Sequence, residues 1–370
     1  MSTIKTNAIL DASGGNTVTI NSVTPTAYNT MGKNRIINGD MRIDQRNAGA
    51  SVSVDNAEVW GVDRWKGADN SDGTLTMQQS TDVPSNSGFQ NSLKITVGTA
   101  DASLGSTQYG FVRQMIEGYN VADLAWGGAS AKSVTVSFWV KASVAGTYSF
   151  TIIDSTASYS FPVAYTIDSV NTWEFKTVTI TGATTGTWYT TNGNGMYCDF
   201  SIGAGSSYQS TSGTWASGVF LAATGQTNLL ATSGNTFYIT GVQLEVGSTA
   251  TEFERRPYGT ELELCKRYLQ FQGAGVYGMY NSASSIENSL VFQPEMRTTP
   301  TFSLTTASIT ISNKSNSTTG TTSSASAVNF SGSTQGAYFA QITNCNVTSA
   351  SAGHVAQYRT DKFMKFDAEL

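Results

Sequence analysis

The stretch SVTVSFWV, residues 133–140, decides the fold. Apolar side chains recur there at every second position, at Val134, Val136, Phe138 and Val140. A period of two residues is typical of a β-strand that buries one of its faces. The stretch therefore predicts an antiparallel strand whose inner face packs into a hydrophobic interior.

The same alternation recurs along the central part of the chain, between clusters of Gly, Asn and Ser. It is seen in the stretches SLKITV (92–97), TYSFTI (147–152), TVTI (177–180), MYCDFSI (196–202) and YITGVQLEV (238–246). In the last of these the inward phase changes at Gly241, which predicts a β-bulge. So many half-buried strands, with no long helical pattern between them, predict an all-β chain built around a jelly-roll β-sandwich.

Four segments follow from the distribution of these patterns. Residues 1–31 carry few apolar side chains, which predicts an N-terminal extended arm that orders against another chain, with a flexible tail as the alternative. Residues 32–257 form the jelly roll. Residues 258–272 hold a short connecting helix, and residues 273–370, richer in Ser, Thr and Gly, form a small C-terminal β-sandwich domain.

Two short helices are expected within this plan. The stretch VADLAW, 121–126, follows Asn120 as its N-cap and stops at a pair of glycines. The second helix, near 260–270, has acidic residues in its first turn and basic residues in its last, as the helix dipole favours. It is predicted to join the jelly roll to the C-terminal domain.

The charge and the cysteine content exclude several classes of protein. A formal net charge of −5, with 13% charged residues, argues against nucleic-acid binding, which needs clustered Lys and Arg. No apolar run has the length of a membrane span or of a signal-peptide core, so we expect a protein made in the cytoplasm and not inserted in a membrane. Cys198, Cys265 and Cys345 are odd in number and far apart, which predicts buried free thiols.

The sequence holds no strong catalytic motif. His354 is the only histidine, and no nucleophile motif accompanies it. The lone GxGxxG at 273–278 follows a helix instead of preceding one, so a domain-joining loop is the favoured interpretation. Sugar hydrolysis needs two carboxylates across a cleft, and a solvated strand face explains each available one: Asp154, Asp168, Asp199, Glu252 and Glu254. We therefore predict a protein that is not an enzyme, with no catalytic residue and no cofactor.

One pair of acidic residues raises the question of a metal site. Asp40 in INGDMRI and Glu245 in VQLEV begin and end the central zone, where the first and last strands of a jelly roll commonly meet. Calcium takes oxygen ligands of this kind. An ordinary ion-paired or solvated pair is the favoured interpretation, so no metal is predicted.

Aromatic residues in polar loops are the candidate binding residues. Trp188 and Tyr189 lie in TGTWYTTNGNG, and Tyr208 and Trp215 lie in SSYQSTSGTW. Sugars present apolar C–H faces to flat rings and hydroxyls to polar groups, so this mixture favours a glycan platform. The alternative is that these rings cap a core. Core packing is predicted for the tryptophans close to strand patterns: Trp60, Trp65, Trp139 and Trp173.

A further signal comes from four stretches within residues 33–270: NRIINGDMRIDQRNAG, DRWKG, IEGYNVADLAWGGASAKSVTVSFWVKASVAGTYSFTI and YITGVQLEVGSTATEFERRPYGTELELCKRYLQ. These stretches strongly resemble phage tail-fibre and related virion proteins that carry a carbohydrate-binding-module-like jelly roll. The opening STIKTNAILDASGGNTVTINSVTP is similar to the N-terminal arms of marine phage fibre proteins. The stretch VFQPEMRTTPTFSLTT is similar to the small β-domains that often follow the jelly roll.

The resemblance implies a homotrimeric, non-catalytic tail fibre in the virion, assembled in the host cytoplasm. It implies that residues 1–31 attach to other tail proteins and that the distal domains meet host surface polysaccharide or lipopolysaccharide. It leaves open whether the jelly roll or the C-terminal domain binds the sugar. Two alternatives remain: a tailspike-like polysaccharide depolymerase, and an architectural tail adaptor that binds no sugar.

Overall fold

The computed structural model describes residues 32–322, 325–329, 334–345, 347 and 350–370. The predicted N-terminal arm, residues 1–31, lies outside these described residues. The chain separates into two compact units, Met1–Arg256 and Pro257–Leu370. Nearly all the regular structure is β-strand, which confirms the predicted all-β class.

The first unit is built from antiparallel strands that the alternating stretches form. Its strands are β1 (Val52–Val54), β2 (Ala57–Trp60), β3 (Lys66–Asp69), β4 (Leu75–Ser80), β5 (Ser92–Val97), β6 (Tyr109–Glu117), β7 (Val134–Ala142), β8 (Gly146–Asp154), β9 (Tyr159–Ile167), β10 (Glu174–Ile180), β11 (Asn194–Ala204), β12 (Gln209–Ser210), β13 (Ala216–Ser217), β14 (Ala222–Ala223) and β15 (Thr236–Val246).

Two sheets of this unit pack face to face as a β-sandwich. The six-stranded sheet has the order β1-β4-β5-β15-β7-β10, and the seven-stranded sheet has the order β13-β9-β8-β11-β6-β3-β2. A short parallel pair, β12 and β14, lies beside them. The many crossovers between strands distant in sequence give the jelly roll that the periodicity predicted.

One hydrophobic core fills the space between the two sheets. The inward side chains of β7 and β11 meet there, and Trp65 joins them with no exposed surface. The inward set from β7 is the one predicted from the sequence: Val134, Val136, Phe138 and Val140. Because successive side chains of a strand point to opposite faces, the residues between them lie on the outer face of the six-stranded sheet.

Gly241 forms the predicted β-bulge in β15. The pairing of β15 with β7 shifts in register between Thr240 and Gln243, and Gly241 has a φ of 61°. A β-carbon at Gly241 would lie 2.5 Å from Cζ of Phe89. Glycine is therefore needed here both for the left-handed backbone and for the close approach of an aromatic ring.

The helix predicted over 121–126 is wrong in type. Two 3₁₀ turns, Gly118–Asn120 and Ala122–Leu124, occupy this region, so Asn120 lies inside the first turn and caps nothing. Ala125 takes a left-handed φ of 55° and ends the second turn. Six residues are too few to repay the cost of nucleating an α-helix, and short connectors of this kind commonly take the 3₁₀ form.

The second unit begins with the connecting helix and continues as a small β-sandwich. The helix is α1 (Tyr258–Lys266). The strands are β16 (Leu269–Gln272), β17 (Tyr277–Ser282), β18 (Ser285–Val291), β19 (Thr301–Leu304), β20 (Ile309–Asn313), β21 (Thr318–Thr322), β22 (Ser326–Asn329), β23 (Ala337–Thr343), β24 (Val355–Tyr358) and β25 (Met364–Asp367).

The sheets of the second unit have three and seven strands. Their orders are β16-β25-β19 and β21-β20-β24-β17-β18-β23-β22. A separate core fills the space between them, and Phe302, Tyr338 and Phe366 pack their rings together in it. The helix predicted near 260–270 is shorter than expected, because the residues from Leu269 onward hydrogen-bond to β25 as a strand.

The three cysteines are buried free thiols, as predicted. Cys198 lies in the core of the first unit, whereas Cys265 and Cys345 lie in the second. Burial raises the pKa of the Cys345 thiol to about 12. Buried, protonated thiols behave as small apolar side chains, so their role here is packing.

Candidate glycan-binding groove

A groove of about 570 Å³ lies on the outer face of the six-stranded sheet in the first unit. We call it the sheet-face groove. It is lined by Ser87, Phe89, Ser137, Trp139, Phe175, Gly241, Thr251, Glu252, Phe253 and Arg255. Its floor comes from strands, and its walls come from two segments that cross the sheet, residues 81–91 and 247–256.

The strand register places two aromatic rings side by side on the floor. Trp139 of β7 pairs directly with Phe175 of β10, and their ring centroids lie 5.5 Å apart at an interplanar angle of 54°. Phe175 is 48% exposed, and Trp139 is half-buried. The pair thus forms an apolar platform that is open to solvent on an otherwise polar sheet.

A second aromatic pair and an arginine form the wall opposite this platform. The rings of Phe89 and Phe253 meet edge to face with centroids 5.1 Å apart. The guanidinium carbon of Arg255 lies 4.6 Å from the centroid of Phe89 and 5.8 Å from that of Phe253. Aromatic rings attract a cation over their faces, so these contacts hold the guanidinium in place beside the groove.

Polar groups complete the lining. Thr251 donates its hydroxyl to Oε2 of Glu245 at 2.6 Å, which fixes that side of the groove. The backbone oxygen of Glu252 accepts from Lys33, whereas its carboxylate has no partner among the described residues. The groove therefore combines flat apolar rings with hydroxyl, carboxylate and guanidinium groups.

The indole N–H of Trp139 is the unusual feature of the groove. Five other tryptophans donate this group to a protein acceptor: Trp65, Trp126, Trp173, Trp188 and Trp215. Trp139, like Trp60 outside the groove, has no such acceptor within the part of the chain that the structure describes. A buried or half-buried indole N–H normally finds a partner. The open donor of Trp139 is therefore available to a bound molecule.

A second row of side chains runs across the same sheet face, one pleat away from Trp139. Lys141 of β7 pairs with Tyr238 of β15, and Tyr238 pairs with Lys94 of β5. The ammonium of Lys141 lies 4.3 Å from the centroid of Tyr238, and that of Lys94 lies 5.7 Å from it. Positive charge therefore lines the sheet next to the groove.

Asp82 neutralises one of these two lysines. It forms an ion pair with Lys141 and accepts the indole N–H of Trp173 at 3.0 Å. Burial alone would raise the pKa of Asp82, but the hydrogen bonds from Lys141 and Trp173 outweigh it, so the pKa lies below its usual value. Lys94 has no carboxylate partner among the described residues.

The structure brings together two of the four predicted site residues. Trp188 and Trp215 pack against Trp126 at one end of the sandwich, and we call these three residues the tryptophan cluster. Their ring centroids are 4.7, 5.6 and 5.7 Å apart, and all three pairs meet nearly at right angles. Tyr159 stacks on Trp215 at 5.1 Å. Each ring of this cluster therefore contacts at least two other rings, and all three tryptophans are half-buried.

The other two predicted site residues lie elsewhere. Tyr208 meets Tyr109 edge to face at 5.3 Å, in a separate small apolar cluster on the outer face of the seven-stranded sheet. Tyr189 is 48% exposed, and its backbone N–H donates to Oγ of Ser155. The four residues do not form one platform, and their role in glycan binding stays a prediction.

Core packing, predicted for four tryptophans, is confirmed for Trp65 and wrong for Trp139. The alternation in β7 already held the signal, since Phe138 and Val140 point inward and Trp139 between them must point outward. The same phase argument places Phe175 outward, because Val178 and Ile180 of the same strand, β10, point into the core. Trp60 and Trp173 are half-buried at the surface.

The carboxylates considered for catalysis are not all solvated, contrary to the prediction. Asp199 has no exposed surface and accepts two hydrogen bonds of 2.7 Å from Arg113. Asp154 is buried and accepts the backbone N–H groups of Ser158 and Thr187. Burial would raise the pKa of Asp154, but these hydrogen bonds lower it overall. Both carboxylates therefore serve the fold.

The two acidic residues considered for calcium have protein partners. Asp40 forms an ion pair with Arg42 at 3.1 Å, and Glu245 accepts hydrogen bonds from Gln243 and Thr251. Among the described residues, no group of three or more His, Cys, Asp or Glu side chains is arranged to hold a metal ion. The glycines of the GxGxxG stretch, 273–278, connect β16 to β17 within the second unit and do not join two domains.

No helix in the described part of the chain is long and apolar enough to cross a bilayer. No protein-family model matches this sequence, and a search of curated proteins gives no match.

The solved structures to which this chain is similar include a phage tailspike domain and several carbohydrate-binding modules. The enzymatically active domain of tailspike protein 4 of bacteriophage CBA120 is 12% identical, with 58% of this chain and 21% of that chain covered and a TM-score of 0.32. The family 11 carbohydrate-binding module of the cellulase Lic26A-Cel5E of Clostridium thermocellum is 14% identical, with 56% and 100% covered and a TM-score of 0.28.

A third similar structure is the N-terminal cellulose-binding domain of Cellulomonas fimi β-1,4-glucanase C. It is 14% identical, with 50% of this chain and 90% of that chain covered and a TM-score of 0.26. This chain therefore spans about one fifth of the tailspike chain and most of each module chain.

Proposed function

We propose that this protein is a structural tail-fibre protein of a phage virion, assembled in the host cytoplasm, that binds host surface polysaccharide or lipopolysaccharide without cleaving it. The observation that carries the proposal is the sheet-face groove, where the Trp139 and Phe175 rings lie open beside an indole N–H that has no protein acceptor.

The chemistry of this groove suits a sugar ring. The C–H face of a pyranose packs on an aromatic platform, and its hydroxyl oxygens accept hydrogen bonds from groups at the platform's edge. Trp139 supplies both the ring and the donor, and Arg255 adds further donors on the wall of the same groove. Rigid strands hold Trp139 and Phe175 in register, so little side-chain freedom is lost when a sugar binds.

The same groove favours binding over hydrolysis. Glycoside hydrolysis uses two carboxylates placed on either side of the scissile bond. Of the residues that line the groove, Glu252 alone carries a carboxylate. The proposal therefore assigns no catalytic residue.

The virion role rests on the stretches that resemble tail-fibre proteins. Two of those stretches contribute directly to the groove, since one contains Trp139 and another contains Phe253 and Arg255. In a homotrimer, three weak sugar sites act together and raise the overall affinity by orders of magnitude. In this proposal, residues 1–31 attach the fibre to other tail proteins.

An array of bacterial surface polysaccharides, probed with the purified full-length protein, tests this function. We expect the wild-type protein to bind a subset of polymers, Trp139→Ala to lose that binding, and Thr177→Ala, on the same sheet face, to keep it. Steady release of new reducing ends from a bound polymer would instead support the depolymerase. Normal host adsorption by particles whose fibre cannot bind any polymer would support the architectural adaptor.

A further inference from the structure

The guanidinium of Arg255 lines the sheet-face groove with its positive charge uncompensated. Its Nη1 donates to the backbone oxygen of Gly88 at 3.1 Å, and its Nη2 donates to that of Ser87 at 2.5 Å. These carbonyl oxygens orient the group but carry no formal charge. No carboxylate within the described ranges pairs with Arg255.

Three N–H groups of Arg255 remain free after these two bonds. A guanidinium has five N–H donors in a fixed plane, and two of them are used by Ser87 and Gly88. The faces of Phe89 and Phe253 restrict the rotation of the plane. A pre-oriented guanidinium with free donors matches the geometry of a carboxylate or a phosphate.

A second cation, Lys94, lies on the same sheet face. It forms no direct ion pair among the described residues, although its charge helps to lower the pKa of Asp82, the carboxylate that pairs directly with Lys141. Two carboxylates lie on the same face: that of Glu252, which has no partner among the described residues, and that of Glu245, which accepts hydrogen bonds only from the neutral Gln243 and Thr251. The pre-oriented guanidinium of Arg255, with its free donors, is therefore the feature of the groove that matches an anionic ligand.

From this arrangement we infer that the sheet-face groove takes an acidic glycan, one that bears a carboxylate or phosphate group, and that Arg255 is the residue that recognises this group. The inference rests on the proposed glycan-binding function. In this assignment Trp139 and Phe175 contact the sugar ring, Arg255 contacts the anionic substituent, and Lys94 adds long-range attraction.

The test uses bacterial polysaccharides printed in matched pairs. One arm pairs each uronic-acid polymer with its carboxyl-reduced form, and the other pairs each phosphorylated polymer with its dephosphorylated form, so the two sources of negative charge are separated. We expect the wild-type protein to bind the charged form at least about tenfold more tightly in one arm. We also expect this preference to weaken several-fold between about 50 and 300 mM salt.

Arg255→Gln and Lys314→Gln form the matched pair of variants. Both remove one positive charge, but Lys314 is an exposed residue of the second unit and does not line the groove. We expect Arg255→Gln to bind charged and neutral forms equally, with its melting temperature recorded as a folding control. Lys314→Gln should keep the wild-type preference.

Two results contradict the inference in different ways. Equal binding of charged and neutral forms by the wild-type protein, or a preserved preference in Arg255→Gln, overturns the role of Arg255 but leaves glycan binding in place. Absence of binding to every polymer on the array overturns the proposed function itself, and the inference with it.

Discussion

The tryptophan cluster and the sheet-face groove both contain tryptophan close to hydroxyl side chains, yet they differ in whether the indole N–H groups are already hydrogen-bonded. In the cluster, Trp126, Trp188 and Trp215 donate their N–H groups to loop carbonyls and press their rings on one another. In the groove, Trp139 keeps an unpaired N–H and an open face. Hydrogen-bond satisfaction of the indole N–H groups therefore separates these two regions.

The largest effect on glycan affinity is expected at Trp139. We expect Trp139→Ala to weaken glycan binding by about 2–4 kcal/mol, or roughly 30- to 1000-fold, as loss of a central aromatic contact commonly does. The melting temperature should change little, because Trp139 is a surface residue. Isothermal titration with a polymer selected on the array measures the loss, and Thr177→Ala serves as the control. An unchanged affinity in Trp139→Ala would contradict the proposal that the sheet-face groove binds glycan.

The opposite outcome is expected in the cluster. Trp215→Ala should lower the free energy of unfolding by about 2–3 kcal/mol, less than the ~3–5 kcal/mol of a fully buried aromatic residue, because it removes the ring contacts of Trp215 with Trp126, Trp188 and Tyr159. Binding by the folded variant should equal that of the wild type. Denaturant unfolding measures the first effect. A Trp215→Ala variant that is fully stable but binds no glycan would show instead that the sugar binds at the loops of Trp188 and Trp215.

A smaller effect is expected at Gly241. Alanine there would strain a left-handed backbone by roughly 1–2 kcal/mol and push the ring of Phe89, which lies 2.5 Å from the added β-carbon. We expect Gly241→Ala to lose this stability and also to bind glycan about tenfold more weakly, because the wall of the groove moves.

Gly225→Ala is the control for this change. Gly225 also has a positive φ, of 85°, but nothing lies within 4 Å of its added β-carbon. It should lose a similar amount of stability and keep full binding. Equal binding by the two alanine variants would show that Phe89 does not shape the site.

The smallest effect is expected at Asp82, beside the groove. Because the pKa of Asp82 lies below 3.8 in the folded state, its pairing stabilises the fold above pH 3.8, and the gain is lost as the pH falls through the folded pKa. The Asp82 side chain is 44% exposed, so Asp82→Asn should cost less than about 1 kcal/mol at neutral pH. Unfolding curves at pH 7 and pH 3 measure this, and an equal cost at both would exclude the ion pair as its source.

Much of the fold was predictable because local spacing decides it. The alternation in β7 and β11 determines which face is buried, and the change of phase at Gly241 marks a bulge that the pairing of β15 confirms. The floor of the groove could also have been predicted from the sequence, because strand alternation places the Trp139 side chain on the outer face of β7. The prediction of core packing for Trp139 is wrong because this position alternates with the inward-pointing Phe138 and Val140.

The walls of the groove could not be predicted from local patterns. Phe89 and Arg255 lie 166 positions apart in the sequence, and they meet only because two irregular segments fold over the same sheet. Equally, no spacing rule shows that the indole N–H groups of Trp188 and Trp215 donate to the backbone oxygens of Thr185 and Thr181. Both features depend on tertiary contacts made by loops, and loop sequences have no repeating hydrophobic pattern from which such contacts could be predicted.

The indole signals of the full-length protein labelled with ¹⁵N at tryptophan test the central claim most directly. The seven tryptophans give separate N–H signals, each assigned by a single substitution to Phe. On addition of a polysaccharide fragment that the protein binds, we expect a large shift of the Trp139 signal, whereas the signals of Trp126, Trp188 and Trp215 should stay in place. A shift of the Trp188 and Trp215 signals with an unmoved Trp139 signal would contradict the central claim.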